Sequence, residues 1–228
     1  MLSSLFEGRD CLLILDTETS GLRFKNDRII ELAVLKLVRQ GGEIVVADQM
    51  DEFIRLPQGV RLDPKIVELT HITDEMLATQ GLSEGEVLGR CVKMFAGERA
   101  LVIAYNAQFD LNFLYYSLAR HGLAAALKGI DMLDALTVYK DRRDYPHKLE
   151  AAIEQYGLQD KVVNSHRAID DTLALKEVLI AMERELPDLH CYLNLFGYNP
   201  KFGVSGAKIS SVTYKPQPYN DHTKLYLK

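Results

Sequence analysis

Residues 11–22, CLLILDTETSGL, run from a short apolar strand through two acids into a turn. An apolar run ending at Asp16 suits a buried strand, and Ser20-Gly21 supplies the turn that follows it. Side chains alternate along a strand, so Asp16 and Glu18 point to the same face. Two like charges on one face repel unless a cation lies between them, which makes the pair a candidate metal site. The pair is a weak signal alone. With 17 Asp and 15 Glu in the chain, about one Asp-x-Glu is expected by chance, and a polar strand end accounts for it equally well.

Working outward, 28–38 (RIIELAVLKLV) and 43–56 (EIVVADQMDEFIRL) read as further strands, with Gly41-Gly42 as a hairpin turn between them. Three strands with short connections predict an antiparallel start to a sheet. After Asp63-Pro64 the pattern turns helical over 64–69, 73–78 and 83–96, the last with Val87, Leu88, Cys91, Val92 and Phe95 at core spacing. Strands are expected at 100–105 and 129–134, and helices at 107–121, 148–157 and 167–185. Alternating strand and helix implies parallel strands with helices packed on them. The fold class is therefore α/β, with a mixed sheet flanked by helices.

Composition and charge narrow the partners. The chain has 228 residues, 47% of them hydrophobic and 26% charged, as in an ordinary soluble domain. No apolar run reaches membrane-span length and no signal peptide is apparent, so a cytoplasmic protein without membrane contact is expected. Cys11, Cys91 and Cys191 are too scattered for a metal motif and read as reduced thiols. A net charge of −5 argues against a broad basic nucleic-acid surface. Residues 187–228 hold five Lys and two Asp and are broken by Pro and Gly, yet they include Val212, Tyr214, Tyr219, Leu225 and Tyr226. The expected division is a main domain over 1–186 and an ordered C-terminal appendage over 187–228 packed on or beside it.

More acids join the first pair. Asp110 falls near the start of a helix on a stripe with Phe113, Leu114 and Ser117, which turns its carboxylate toward the sheet; a favourable charge at a helix N-terminus is the simpler alternative. His166 and Asp171 bracket the start of the last long helix, with Asn164 or Ser165 available as its cap. Asp171 shares the apolar stripe of Leu175, Val178 and Met182, so Asp171 rather than Asp170 should face inward. Lys140, Arg142, Arg143 and Lys148 could meet phosphates, but Asp141 and Asp144 interrupt them, and a solvated mixed-charge loop accounts for them as well.

Three ordered segments, ILDTETSGL at 14–22, AYNAQFDLNFL at 104–114 and HRAIDD at 166–171, together resemble the DEDDh exonucleases, the DnaQ-like family that includes the proofreading subunit of bacterial DNA polymerase III. THITDEML at 70–77 and the later IDMLDAL and HKLEAAIEQYGL extend the resemblance across about residues 10–185. It implies a ribonuclease H-like fold and a 3′-5′ exonuclease that releases nucleoside 5′-monophosphates. It also implies that Asp16, Glu18, Asp110 and Asp171 hold two Mg²⁺ or Mn²⁺ ions, with His166 as general base. Thr17, Thr19, Tyr105, Asn106 and Phe109 match positions that cradle the terminal nucleotide, Phe109 by stacking or simply as core packing. Tyr105 departs from the His common in the proofreading subunit. The implied partner is the 3′ end of a nucleic acid, DNA being favoured over RNA, and proofreading would require a separate polymerase. A binding or scaffold protein that keeps the fold without catalysis is the alternative of another class.

Overall fold

A computed structural model describes residues 2–163 and 165–228. β1 (Cys11–Thr19), β2 (Ile29–Gln40) and β3 (Glu43–Phe53) form the antiparallel part of a sheet. The tight turn between β2 and β3 needs positive φ, and Gly41 and Gly42 supply it at 61° and 89°. Three short helices follow, α1 (Pro64–Thr70), α2 (Asp74–Gln80) and α3 (Glu84–Lys93), capped in turn by the side chains of Asp63, Thr73 and Ser83. β4 (Ala100–Ala104) and β5 (Asp131–Asp134) then join the sheet parallel to β1, giving the order β3-β2-β1-β4-β5. α4 (Ala107–Arg120) connects them. Beyond β5 come α5 (Ala135–Lys140), α6 (Leu149–Gln155) and α7 (Ala168–Glu185).

The alternation of β1 explains the layering. Leu13 and Leu15 pack with residues of α3 and α4, whereas Leu12 and Ile14 pack with residues of α5, α6 and α7. Helices therefore cover both faces of a mixed five-stranded sheet, the ribonuclease H-like arrangement. Two expected ends retreat by three residues. β3 stops at Phe53, after which Ile54 makes only an isolated bridge to Leu82, and α3 ends at Lys93. α5 is an element the sequence reading did not anticipate; it follows β5 without a break, and Asp134 caps it at Leu136 and Thr137. Among the described residues no helix is long and apolar enough to cross a membrane.

The C-terminal residues are tied to the sheet and its helices. β6 (Leu195–Tyr198) and β7 (Thr213–Pro216) form a parallel pair. Asn194 exchanges two 2.8 Å bonds with the backbone of Met132, continuing β5. Leu189, Tyr192, Leu195 and Leu225 enter the α7-side core, while Phe196 and Val212 enter the α4-side core. Gln217 is fully buried, and its amide donates to the Thr137 carbonyl at 2.8 Å and to Asp141 Oδ1 at 2.5 Å. Removing those donors leaves Asp141 Oδ1 without the Gln217 amide in a buried site, at a typical cost of about 1–3 kcal/mol. Gln217→Ala should therefore lose about that much stability in urea denaturation; an unchanged midpoint would contradict this anchoring.

Candidate active site

The carboxyl end of β1 divides its side chains between the two faces of the sheet. Asp16 and Glu18 fall in register with Leu12 and Ile14, toward α7. Thr17 and Thr19 fall in register with Leu13 and Leu15, toward α4, and both are buried. The Thr17 amide and hydroxyl donate to Asp110 Oδ1 at 3.1 and 2.7 Å, fixing that carboxylate in the first turn of α4. The Thr19 hydroxyl donates to the Gly21 carbonyl at 2.7 Å and holds the turn after β1. A Cβ on Gly21 would lie 2.5 Å from the Asp27 carboxylate, which would have to shift to admit it.

Across the sheet, α7 presents Asp171, which is 9% exposed, on the same face as Leu175, Val178 and Met182. Carboxylate oxygens of Asp16, Glu18 and Asp171 all lie within 4.8 Å of one another. Asp170 stands outside this group and accepts a hydrogen bond from Ser165. Burial, reinforced by the neighbouring acids, raises Asp16 well above the usual carboxylate range and Glu18 to about 8. Burial and Asp170 lift Asp171 to about 7. Burial also raises Asp110 to about 7, against the opposing bonds from Thr17. Among the described residues, Asp171 Oδ1 is buried without a hydrogen-bond partner. A partnerless buried oxygen among hard carboxylate ligands fits a divalent cation, and Mg²⁺ or Mn²⁺ fits that donor set better than a thiophilic metal.

Of the other residues singled out in the sequence, His166 is exposed in the segment before α7, with left-handed backbone (φ 55°). Asn106 is exposed and also left-handed (φ 66°) at the start of α4. Tyr105 is half-buried, and its hydroxyl donates to the His147 carbonyl at 2.7 Å. Phe109 is half-buried with its ring 4.9 Å from that of Phe113, so part of it serves the core.

The structure corrects two expectations. The N-cap of α7 is Arg167, without a side-chain cap bond; Ser165 bonds Asp170 instead, and Asn164 lies outside the described residues. Two of the four basic residues named as possible phosphate contacts are engaged within the fold. Arg142 is almost wholly buried against Asp188, Glu185 and the Met182 carbonyl, and Arg143 pairs with Glu185.

Three residues that the sequence reading passed over shape the site. Asp134, at the end of β5, accepts from the Ala107 amide at 3.0 Å and so caps α4 from outside the helix. Glu31 on β2 and Arg167 hold the start of α7. Glu31 did carry a signal, as the lone charge inside the apolar run RIIELAV.

A central strand ending in clustered acids, with further acids on the two helices that flank it, is an arrangement able to hold a divalent cation. The exonuclease family RNase_T matches residues 13–179. The chain belongs to this family of DnaQ-like 3′-5′ exonucleases. It is 34% identical over 179 residues to the PolC-type DNA polymerases III of Staphylococcus epidermidis and, equally, Staphylococcus aureus; the match covers 78% of this chain and 12% of those much longer relatives. The fold is shared with exonuclease I of Methylocaldum szegediense (TM-score 0.69, 22% identity, 80% of this chain and 42% of that one). It is likewise shared with E. coli exonuclease I, in a zinc-bound complex with single-stranded DNA (TM-score 0.70, 20% identity, 81% and 42%).

The raised carboxyl groups make stability depend on pH in a defined direction. An unfolded carboxyl titrates near 4, whereas Glu18, Asp110 and Asp171 titrate at about 7 to 8 when folded. Between those values the folded state binds more protons than the unfolded state, so stability falls as pH rises. Without divalent ions the melting temperature should drop by several degrees between about pH 5 and 8, and millimolar Mg²⁺ should restore it. A melting temperature that is flat over this range and indifferent to Mg²⁺ would contradict the electrostatics of the site.

Proposed function

We propose that this chain hydrolyses phosphodiester bonds from the 3′ end of DNA and releases nucleoside 5′-monophosphates. The observation that carries the proposal is the convergence of Asp16, Glu18 and Asp171 oxygens within 4.8 Å, with one Asp171 oxygen buried and without a hydrogen-bond partner among the described residues. Asp16, Glu18, Asp171 and, from the α4 side, Asp110 would hold two divalent ions of the Mg²⁺ or Mn²⁺ type. Such ions, when bound, activate the attacking water and stabilise the leaving 3′ oxygen.

The chain's own groups supply the rest. Thr17 keeps the Asp110 carboxylate from rotating. His166, exposed just before α7, takes the proton of the attacking water as general base. With His166 in that role the chain would be of the DEDDh subtype, whose fifth functional residue is a histidine. Tyr105, Asn106 and Phe109, at the start of α4, are the residues proposed to receive the terminal nucleotide, with Thr17 and Thr19 shaping the strand end beside it.

DNA is favoured because the relatives at 34% identity are DNA polymerases and a structural neighbour is described in complex with single-stranded DNA. The same relatives support service to a DNA polymerase as the biological setting. The direct test is digestion of labelled single-stranded DNA, mismatched-end duplex and RNA, each with Mg²⁺ and with chelator. DNA should shorten from its 3′ end with Mg²⁺ and remain intact with chelator. Preferential loss of RNA would make the chain an exoribonuclease, and no shortening with any metal would defeat the enzymatic reading.

His166→Ala should lower kcat by about 10²–10⁴-fold. Asp171→Asn should lose at least as much, while Asp170→Asn keeps most of its activity. Equal losses at 170 and 171 would contradict the assignment of the inward acid.

A further inference from the structure

α7 carries Asp171, follows His166 and starts without a side-chain cap of its own. The first amides of a helix are left without intrahelical partners, and they are most simply satisfied by Ser, Thr, Asn or Asp at the N-cap. Here the N-cap is Arg167, and the Ala168 amide instead donates to Glu31 Oε2 at 2.9 Å. Glu31 lies on β2 directly across from Glu18, as its Cα partner in the antiparallel ladder. The same carboxylate receives Arg167, with Nε 2.9 Å and Nη2 2.5 Å from Oε1. The guanidinium also lies over the Phe53 ring, 4.9 Å from its centre.

This is a costly way to start a helix. The Glu31 side chain is 1% exposed, and burying an ion pair gains little stability over an apolar replacement. What it supplies is geometry. One carboxylate, one residue across from Glu18, fixes both the first amide of α7 and the side chain next to His166, one helical turn before Asp171.

We propose that Glu31 and Arg167 are positioning residues, a clamp that sets Asp171 and His166 against the acids of β1. The inference rests on the proposed exonuclease reading for its kinetic consequence, but its effect on cation binding does not. Supporting groups behind metal ligands typically change affinity or activity by about 10- to 100-fold when altered.

The test uses the full chain with Glu31→Gln, Arg167→Met and the double variant. Glu31→Gln keeps an acceptor for the Ala168 amide, and Arg167→Met keeps a stem against Phe53, so both should fold. Two quantities are read: kinetics on a 3′-labelled oligodeoxynucleotide, and Mn²⁺ affinity by calorimetry without nucleic acid. Each single variant should lower kcat about 10- to 100-fold with KM within about twofold of native, and weaken Mn²⁺ binding. The double variant should be little worse than either single one, because the pair acts as a unit.

Three outcomes would overturn the clamp. They are kcat or Mn²⁺ affinity within about twofold of native in the folded variants, a raised KM with unchanged kcat in Arg167→Met, and losses that multiply in the double variant. If the native chain binds Mn²⁺ but degrades no nucleic acid, the exonuclease reading fails, and Mn²⁺ affinity alone then decides for or against the clamp.

Discussion

Mutual repulsion among Asp16, Glu18 and Asp171 is the constraint around which the rest of the molecule is arranged. Carboxylates this close, in a partly dry site, oppose one another by an amount on the order of several kcal/mol per charged pair. Left alone, such acids would turn outward into water. They are kept together because Asp16 and Glu18 belong to a strand with neighbours on both sides, and Asp171 to a long helix whose apolar stripe is sunk in the core. The stability of sheet and helix thus opposes a local electrostatic cost, which a cation would relieve.

The same logic explains how the two acid-bearing helices are started. Neither α4 nor α7 is capped by its own N-cap side chain. Each is held from outside by a strand carboxylate, Asp134 at the end of β5 for α4 and Glu31 on β2 for α7. A cap borrowed from a strand ties the helix start to the sheet, which is where the alignment of Asp110 and Asp171 with β1 is decided. β1 itself shares the task between its faces: its acids turn toward α7, and Thr17 reaches Asp110 on the α4 side.

Much of this was legible in the sequence, because the features concerned are periodic and local. The alternation of 11–19 placed Asp16 and Glu18 on one face, the 3.6-residue stripe selected Asp171 over Asp170, and two glycines marked the β2–β3 turn. The order of antiparallel then parallel strands followed from the spacing of the apolar runs. What escaped depends on contacts between distant segments. The Glu31–Arg167 pair spans 136 positions, and nothing near either residue indicates the other. Arg142 looked like a surface cation because its partners, Glu185 and Asp188, lie some forty positions away. Helix α5 was missed because it begins directly where β5 ends, with no turn residue between them.

The central claim, that the acids at the end of β1 form a divalent-cation site, is tested most directly by anomalous diffraction from crystals soaked in MnCl₂. The account predicts an anomalous peak among Asp16, Glu18 and Asp171, within coordination distance of Asp171 Oδ1. A well-ordered site with no peak there, or with Mn²⁺ bound only at other surface acids, would contradict it.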